Sequence, residues 1–300
     1  MEIQALYRPI IVFISLLSKS DIGSNSFIEC QFENSPNVRL GTNVIGTIIS
    51  TMFQDKNIIS VVYNDQPPTR VESGHTKGVI LGDKFTALWL VHSVPRFPPL
   101  PDRYDYPTTG MKYGQSFLCV SVQTTTLNQI ATQLKYNEPL IAYYHIPQDL
   151  ENELHSRGLH AQVESFETLV GRKFLSFAKS AMFNDDLYSG LVAEVLQSDL
   201  LVESWTNGPG TLDSEVRNIE RLKFPMAKMS FTSHNDHSKW AVAVAHKMHN
   251  SQDTKVADYW VCVGDINRCH ITGVSILVVV SNIYAQGSYI VRKKKVCISK

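Results

Sequence analysis

Two short stretches of the sequence carry the same pair of basic side chains at the same spacing. The first His-x-Lys motif is His75 and Lys77 in GHTKGV, and the second is His237 and Lys239 in DHSKWAV. Residues i and i+2 share one face of a β-strand, so each motif aims an imidazole and an ammonium group the same way, about 6–7 Å apart. Imidazole can attack phosphorus or carry a proton, and lysine can neutralise a phosphate oxygen. The motifs therefore suit phosphodiester chemistry, with two solvated strands as the alternative.

A third histidine, His92, is predicted to lie across a hairpin from the first motif. In HTKGVILGDKFTALWLVHS, a two-residue loop at Asp83-Lys84 pairs His75 with His92, with Cβ atoms about 5 Å apart. A turn at Gly82-Asp83 shifts the pairing by two residues and keeps the shared face, whereas a three-residue loop places His92 on the opposite face. A histidine buried in the core is the competing interpretation.

The elements that must position these residues are short strands mixed with a few helices. One helix begins after Thr124–Thr126 and presents Leu127, Ile130, Ala131 and Leu134 on one face, a second runs from Pro147 to Arg157, and a third carries Leu187, Leu191 and Val195. The proline-rich segment 95–107 is predicted to be a stiff, exposed loop. Strands are predicted at 58–63, 76–81, 86–92, 117–122, 200–205, 239–244 and 259–263, which together favour an α/β or α+β layered fold.

Composition limits the classes of function that remain. An apolar content of 43% excludes a disordered chain, and 28 basic against 28 acidic residues give no net charge at neutral pH. Ten histidines, with ordinary pKa values near ~6.5, make the chain cationic in an acidic compartment. Five cysteines lack a C-x-x-C pair and predict one or two disulfides. His234 and His237 have no further ligands nearby, so no metal site is predicted.

The N-terminal residues 1–20 are predicted to be a signal peptide. Arg8 precedes the short apolar stretch Pro9–Leu17, and Ser18-Lys19-Ser20 resembles a cleavage site. A buried N-terminal strand is the alternative interpretation. No stretch has the length of a membrane span, and the basic cluster 292–295 is predicted to be solvated.

Seven motifs in order resemble the deoxyribonuclease II family, including its plancitoxin-like members. The similarity extends from about Ile58 to Arg268. It implies an acid endonuclease that needs no divalent metal or other cofactor and leaves 3′-phosphate ends. It also implies a phospholipase-D-like fold with two pseudo-symmetric halves, 21–170 and 171–300, each with a central mixed β-sheet flanked by helices. The motifs are YNDQPP, GHTKGV, WLVHSVPRFPP, YGQSFLCVS, FNDDLYSG, DHSKW and WVCVGDINR.

The resemblance also implies roles for individual residues. Both His-x-Lys motifs would be catalytic, one histidine forming a phosphohistidine and the other protonating the leaving oxygen, and the sequence does not assign which is which. His92 matches another histidine that the family requires. In the GDIN segment, Asn267 is expected to contact the phosphate, with Asp265 supporting it.

The chain also departs from the family pattern in ways that keep a second function open. No family-like segment precedes Asn34, Ala241 stands where relatives carry cysteine, and Cys119 and Cys262 can lack their usual disulfide partners. We expect a secreted or lysosomal nuclease that acts on DNA without sequence preference and has no membrane partner, with a homodimer left open. The alternative is a secreted relative that binds DNA or a host partner without cutting.

Overall fold

Two seven-stranded β-sheets carry the two motifs, one sheet in each half of the chain. A computed structural model describes residues 10–15, 30–33, 44–54, 57–64, 74–99, 104–169, 171–204, 216–224, 229–244, 260–267 and 275–280. The mixed α/β class predicted from the spacing of apolar runs is confirmed.

The first sheet is mixed. Its strands are β1 (Ile10–Ser15), β2 (Cys30–Glu33), β3 (Ile59–Tyr63), β4 (Gly78–Gly82), β5 (Thr86–His92), β6 (Ser116–Gln123) and β7 (Ile141–His145). They lie in the order β2-β1-β6-β5-β4-β3-β7. Only the pair β1–β6 is parallel. The first His-x-Lys motif comes directly before β4.

The second sheet is also mixed, but among its described strand pairs the parallel one is β10–β11, at an edge of the sheet. Its strands are β8 (Ala161–Glu167), β9 (Lys173–Lys179), β10 (Asp199–Glu203), β11 (Val216–Asn218), β14 (Lys239–Val244), β15 (Val261–Gly264) and β16 (Ser275–Val280). Their order is β11-β10-β14-β15-β16-β9-β8, and β12 (Arg221–Phe224) with β13 (Met229–Thr232) forms a separate ribbon. The second motif ends on the first residue of β14.

The two sheets correspond strand for strand, which gives the molecule its pseudo-symmetry. The first reads β2-β1-β6-β5-β4-β3-β7 from one edge, and the second reads β8-β9-β16-β15-β14-β10-β11. β4 lies antiparallel between β3 and β5, and β14 lies antiparallel between β10 and β15. β8 and β9 pair with each other in the second sheet. The boundary expected at 170/171 lies between these two strands and stays a prediction.

Helices pack on the sheets and join the halves. They are α1 (Val44–Gln54), α2 (Thr108–Lys112), α3 (Leu127–Asn137), α4 (Gln148–Leu154) and α5 (Glu194–Leu196), the last preceded by a π-helix over Tyr188–Ala193. The predicted apolar face of α3 is confirmed, because Leu127, Ile130, Ala131 and Leu134 are all buried. These side chains share one core cluster with Trp89 of β5, Phe174 of β9 and Val263 of β15. No helix within the described ranges is long and apolar enough to cross a membrane.

The third predicted helix is present, but its buried face does not follow the 3.6-residue spacing of Leu187, Leu191 and Val195. Leu187, Tyr188 and Val192 are fully buried, whereas Val195 is 46% exposed. The cause is the π-helix, whose hydrogen bonds join residues five apart and so shift the inward face away from a 3.6-residue period.

Residues 10–15, predicted to lie in a signal peptide, form β1 and pair with both β2 and β6, and the signal peptide stays a prediction. The segment 95–107, predicted to be exposed, includes Phe97 and Tyr106, which are 0% and 3% exposed. Their rings contact each other at a centroid distance of 5.4 Å, so aromatic packing draws this loop into the core.

Candidate active site

The first His-x-Lys motif lies at the entry to β4. Lys77 is buried and His75 is partly exposed, and Lys77 Nζ is 3.5 Å from His75 Nε2. Glycine is needed at position 78, the first residue of β4, because a Cβ there would lie 2.2 Å from Tyr63 Oη and 2.6 Å from Leu90 O. The two side chains of the motif are neighbours, although they lie just before the strand on which the sequence places them.

The tyrosine above Gly78 links this motif to the other half. Tyr63 is fully buried, and its hydroxyl accepts a hydrogen bond from Trp89 Nε1 at 2.9 Å. Burial, followed by the negative charge of Asp265, raises the pKa of Tyr63, so the phenol stays neutral. Asp265, whose charge has this effect, directly follows β15 of the second sheet.

The second motif is more deeply buried than the first. His237 is 8% exposed and Lys239 is 0% exposed. Asp236 Oδ1 accepts a hydrogen bond from Ser238 N at 3.0 Å, and Lys239 Nζ donates to His237 O. Backbone and side chain contacts inside the motif thus fix the turn that leads into β14.

Each motif is braced by residues of the opposite half. In one direction, Asp265 Oδ2 accepts hydrogen bonds from Lys77 N and from Thr76 Oγ1, both at 2.7 Å. In the other direction, Ser116 Oγ of the first sheet accepts a hydrogen bond from Lys239 N at 3.3 Å. The reciprocal contacts draw the entries of β4 and β14 to one place between the sheets.

A short parallel bridge beside the second motif strengthens this junction. Gly114 N donates to Asn235 O at 3.1 Å, and His237 N donates to Gly114 O at 2.8 Å. A Cβ on residue 114 would lie 2.4 Å from Asp236 Oδ1. Glycine is therefore required for this close approach of the two halves.

The imidazole of His237 is held in one tautomer. Its Nδ1 lies 2.8 Å from Ser93 O, and because a carbonyl oxygen only accepts hydrogen bonds, Nδ1 must carry the proton. The lone pair of the neutral ring is then on Nε2. Burial, followed by the positive charges of Lys239, Lys77 and His75, lowers the pKa of His237 well below its ordinary value, and the bond to Ser93 opposes this only in part.

The electrostatics of His237 show that both motifs face one site. Lys77 and His75 belong to the first half of the chain, yet their charges act on an imidazole of the second half. Such charge effects extend over about 10 Å at ordinary salt, and the hydrogen bonds of Asp265 and Ser116 across the halves bring the motifs together over that range. The structure therefore brings together His75, Lys77, His237 and Lys239, the four residues that the motifs single out.

The structure places His92 differently from the prediction. The hairpin pairs Gly78 with Val91, and His92 N donates to Lys77 O at 3.3 Å, so His92 lies opposite Lys77 instead of His75. The register shifts by two because the two-residue loop is Lys84-Phe85 instead of Asp83-Lys84: Asp83 N donates to Thr86 O at 2.9 Å, and Asp83 Oδ1 accepts from the amides of residues 85 and 86. The shift keeps the predicted shared face.

His92 belongs to the core, in line with the competing interpretation. The side chain is 0% exposed, and its ring packs at 5.4 Å from Phe97 and 5.7 Å from Phe117. Its Nδ1 accepts a hydrogen bond from Val94 N at 3.2 Å. A direct catalytic role of His92 stays a prediction.

The two polar residues of the GDIN segment, Asp265 and Asn267, have different surroundings. Asp265 was expected to support the phosphate, but its buried carboxylate binds the backbone of the first motif, and a carboxylate would repel a phosphate. Asn267 is partly buried, and its Oδ1 has no hydrogen-bond partner among the described residues. Ile266, which lies between these two residues, is anchored by a hydrogen bond that Tyr188 Oη donates to its carbonyl oxygen at 3.2 Å.

Sequence reasoning missed the residues that support the two motifs. Ser93, Gly114, Ser116 and Asp236 all lie in motifs shared with the family, VHS, YGQS and DHSK, but their contacts involve backbone groups that no residue type reveals. Cys119 and Cys262 are free and buried, and burial raises the pKa of each thiol. In the part of the chain that the structure describes, no three His, Cys, Asp or Glu side chains cluster as a metal site.

Comparison with known proteins gives a consistent assignment. The sequence model of the family described as deoxyribonuclease II matches residues 31–279. Deoxyribonuclease-2-alpha of Mus musculus is 39% identical over 236 residues, which cover 69% of this chain and 63% of the relative, so less than two thirds of that relative is matched. Deoxyribonuclease-2-alpha of Sus scrofa is 34% identical, covering 79% of this chain and 69% of the relative. Deoxyribonuclease-2 of Caenorhabditis elegans is 35% identical, covering 71% and 66%.

Proposed function

The chain belongs to the deoxyribonuclease II family, and we propose that it is an acid endodeoxyribonuclease that hydrolyses DNA phosphodiesters without a metal ion. The observation that carries the proposal is the meeting of the two His-x-Lys motifs around His237, whose pKa is lowered by charges from both halves. Two imidazoles and two ammonium groups at one place can supply a nucleophile, a proton donor and charge neutralisation to one phosphate.

His237 is the nucleophile in this proposal. Nucleophilic attack needs a neutral ring with a lone pair in a fixed direction. The bond from Nδ1 to Ser93 O leaves that lone pair on Nε2, and the lowered pKa keeps the ring neutral in acid. Attack of Nε2 on phosphorus forms a phosphohistidine as the bond from phosphorus to the 5′-oxygen breaks.

His75 is the proton carrier. The departing 5′-oxygen takes a proton from the His75 imidazolium, and the neutral ring then removes a proton from the water that attacks the phosphohistidine. That water breaks the bond between Nε2 and phosphorus and leaves a 3′-phosphate end. The partial exposure of His75 supports this role, because a group that gains and loses protons in each turnover benefits from contact with solvent.

The two lysines neutralise the phosphate. Lys77 Nζ is already beside His75 Nε2, and a bound phosphodiester offers it an anionic oxygen as a stronger acceptor. Lys239 is fully buried beside the nucleophile. Charges held in a dry site stabilise the extra negative charge of the transition state more than they would in water.

Acidic conditions suit this chemistry and the binding of DNA. One imidazole must be charged while the other is neutral, and the lowered pKa of His237 keeps its ring neutral in acid. Protonated histidines also supply positive charge to a chain that has no net charge at neutral pH. We therefore assign the protein to a secreted or lysosomal location, with DNA bound through its backbone and without sequence preference.

A second candidate function is DNA binding without cleavage. The free, buried thiols of Cys119 and Cys262 favour it, because a scaffold without its disulfides can lose the geometry that catalysis needs. Nicking of supercoiled plasmid at pH ~5 in EDTA separates the candidates. We expect nicking by the wild type, loss of nicking in His237→Ala, and retention in the control His155→Ala, whose ring contacts its own helix at Glu151 O. Binding without nicking by the wild type would establish the second candidate.

A further inference from the structure

One peptide unit of the first half lies between two imidazoles. Its N–H, from Val94, donates to His92 Nδ1 at 3.2 Å. Its C=O, from Ser93, accepts from His237 Nδ1 at 2.8 Å. Because a trans peptide is planar, with its N–H and C=O pointing in opposite directions, one orientation of the plane satisfies both contacts together.

We propose that His92 is a positioning residue that sets the tautomer of His237 through the peptide between Ser93 and Val94. The inference rests on the proposed function, in which His237 Nε2 is the nucleophile. His92 accepts the Val94 N–H, which directs the Ser93 carbonyl at His237 Nδ1 and holds the proton there. An amide whose N–H is engaged is polarised and presents a stronger acceptor on its carbonyl side.

The surroundings of His92 make it a rigid acceptor. The ring is enclosed between Phe97 and Phe117 with no exposed surface, so its Nδ1 is held in one place. Accepting a hydrogen bond at Nδ1 requires a lone pair there, so the neutral ring carries its proton on Nε2. His92 therefore acts through its acceptor nitrogen and needs no access to the substrate.

The alternative orientation of the peptide would disable the nucleophile. A flipped plane would turn the Ser93 carbonyl toward the lone pair on His92 Nδ1, which is an unfavourable contact between two acceptors. It would also turn the Val94 N–H toward His237, where Nδ1 would have to accept and the proton would move to Nε2. His92 disfavours that state and so keeps the attacking lone pair available.

The other groups of Ser93 are bound within its own half, which leaves the carbonyl for His237. Ser93 N donates to Ser116 O at 3.0 Å, and Ser93 Oγ donates to Gln115 Oε1 at 2.6 Å while accepting from Ser116 N at 2.9 Å. Ser116 in turn accepts from Lys239 N. The same turn thus supports both residues of the second motif.

Two variants of nearly equal shape test the acceptor role. In His92→Asn the amide oxygen can occupy the place of Nδ1 and accept the Val94 N–H, whereas His92→Leu has the same branching and no acceptor. We expect His92→Leu to lower kcat for plasmid nicking by about 10–100-fold with little change in KM, and His92→Asn to recover most of it. Equal losses in two variants that melt at the same temperature would overturn the proposal.

A spectroscopic measurement tests the tautomer of His237 without relying on catalytic activity, and it can be made on the wild-type protein as well as on the variants. The ¹⁵N chemical shifts of His237 in wild-type protein distinguish protonation at Nδ1 from protonation at Nε2. We expect Nδ1–H in the wild type and in His92→Asn, and a mixture in His92→Leu. Protonation of His237 at Nε2 in the wild type would overturn the inference. Wild-type protein that shows Nδ1–H, responds to the variants as expected and does not nick DNA would support the positioning role while refuting the proposed nuclease.

Discussion

The two halves of this molecule present the same motif in different surroundings. In the first half, His75 is partly exposed and its Nε2 lies 3.5 Å from Lys77 Nζ of its own motif. In the second half, His237 is 8% exposed, its ring is tied to a carbonyl of the other half, and Lys239 is fully buried. Pseudo-symmetry of the sheets therefore does not extend to the environment of the two imidazoles.

This difference shows how a duplicated motif can supply two unlike catalytic groups. A nucleophile must stay neutral and point one way, and burial with an anchored Nδ1 provides both conditions for His237. A proton carrier must exchange protons in every turnover, and the partial exposure of His75 permits that. The braces differ as well, since Asp265 supplies a charge to the first motif and Ser116 supplies a neutral hydroxyl to the second.

The largest expected effect separates the two histidines. His237→Ala and His75→Ala should each lower DNA nicking by at least about 10³-fold, because each removes a group that the reaction requires. On thymidine 3′-(p-nitrophenyl phosphate), whose leaving group departs without protonation, His75→Ala should release p-nitrophenolate in the first turnover and His237→Ala should not. Equal loss in both variants on this substrate would contradict the division of roles.

The next effect compares the two braces. Asp265→Asn removes the charged acceptor of Lys77 N and Thr76 Oγ1, and we expect about 10–100-fold lower kcat and about 2 kcal/mol less stability. Ser116→Ala removes one neutral contact to Lys239 and should cost about 1 kcal/mol or less. Urea unfolding and plasmid nicking measure both variants. A larger loss in Ser116→Ala would reverse the ranking of the braces.

A smaller effect concerns the pH dependence of stability. The folded protein holds the pKa of His237 below the ordinary histidine value, so the unfolded chain takes up this proton first as the pH falls. Below pH ~6.5 and above the folded pKa, the site should therefore lower stability by up to about 1.4 kcal/mol per pH unit. His237→Gln should flatten the profile measured by urea unfolding. An unchanged slope in that variant would show that His237 is not the buried neutral group.

The smallest effect concerns DNA affinity rather than chemistry. Lysine and arginine are charged at both pH ~5 and pH ~7.5, so imidazoles, ten in this chain, contribute most of the change in charge between these values. We expect His237→Ala, which binds without cutting, to bind DNA several-fold more weakly at the higher pH at fixed salt. Fluorescence anisotropy with a labelled oligonucleotide measures this. An affinity independent of pH would show that histidine protonation does not supply the binding charge.

Much of the scaffold could be predicted from the sequence because local patterns determine it. The apolar periodicity of α3 and the alternation in β5 and β14 specify those elements within a residue or two. The face of the π-helix could not be predicted, since its wider turn leaves no pattern with a 3.6-residue period. Pairing with β6 places residues 10–15 in the sheet, and that contact lies more than a hundred residues along the chain.

In the candidate site too, some residues could be predicted from local sequence patterns and others could not. His75, Lys77, His237 and Lys239 could be predicted because their chemistry is in the side chain and their spacing repeats. The predicted pairing of His92 is off by two residues because the side chain of Asp83 caps a turn at Lys84-Phe85, which the turn dipeptide does not disclose. The roles of Ser93 and Gly114 depend on backbone carbonyls and close approach across the halves, and those appear only when the two sheets are assembled.

The most direct test of the central claim is to locate a covalent adduct in His75→Ala. This variant lacks the group that activates water, so on thymidine 3′-(p-nitrophenyl phosphate) the first step should proceed and the second should stall. We predict a burst of p-nitrophenolate that does not exceed one equivalent of protein, with the nucleotidyl group on the peptide that contains His237 in mass spectra taken after alkaline quenching. A burst with the adduct on another residue, or no burst from a folded variant, would contradict the convergence of the two motifs on one phosphorus atom.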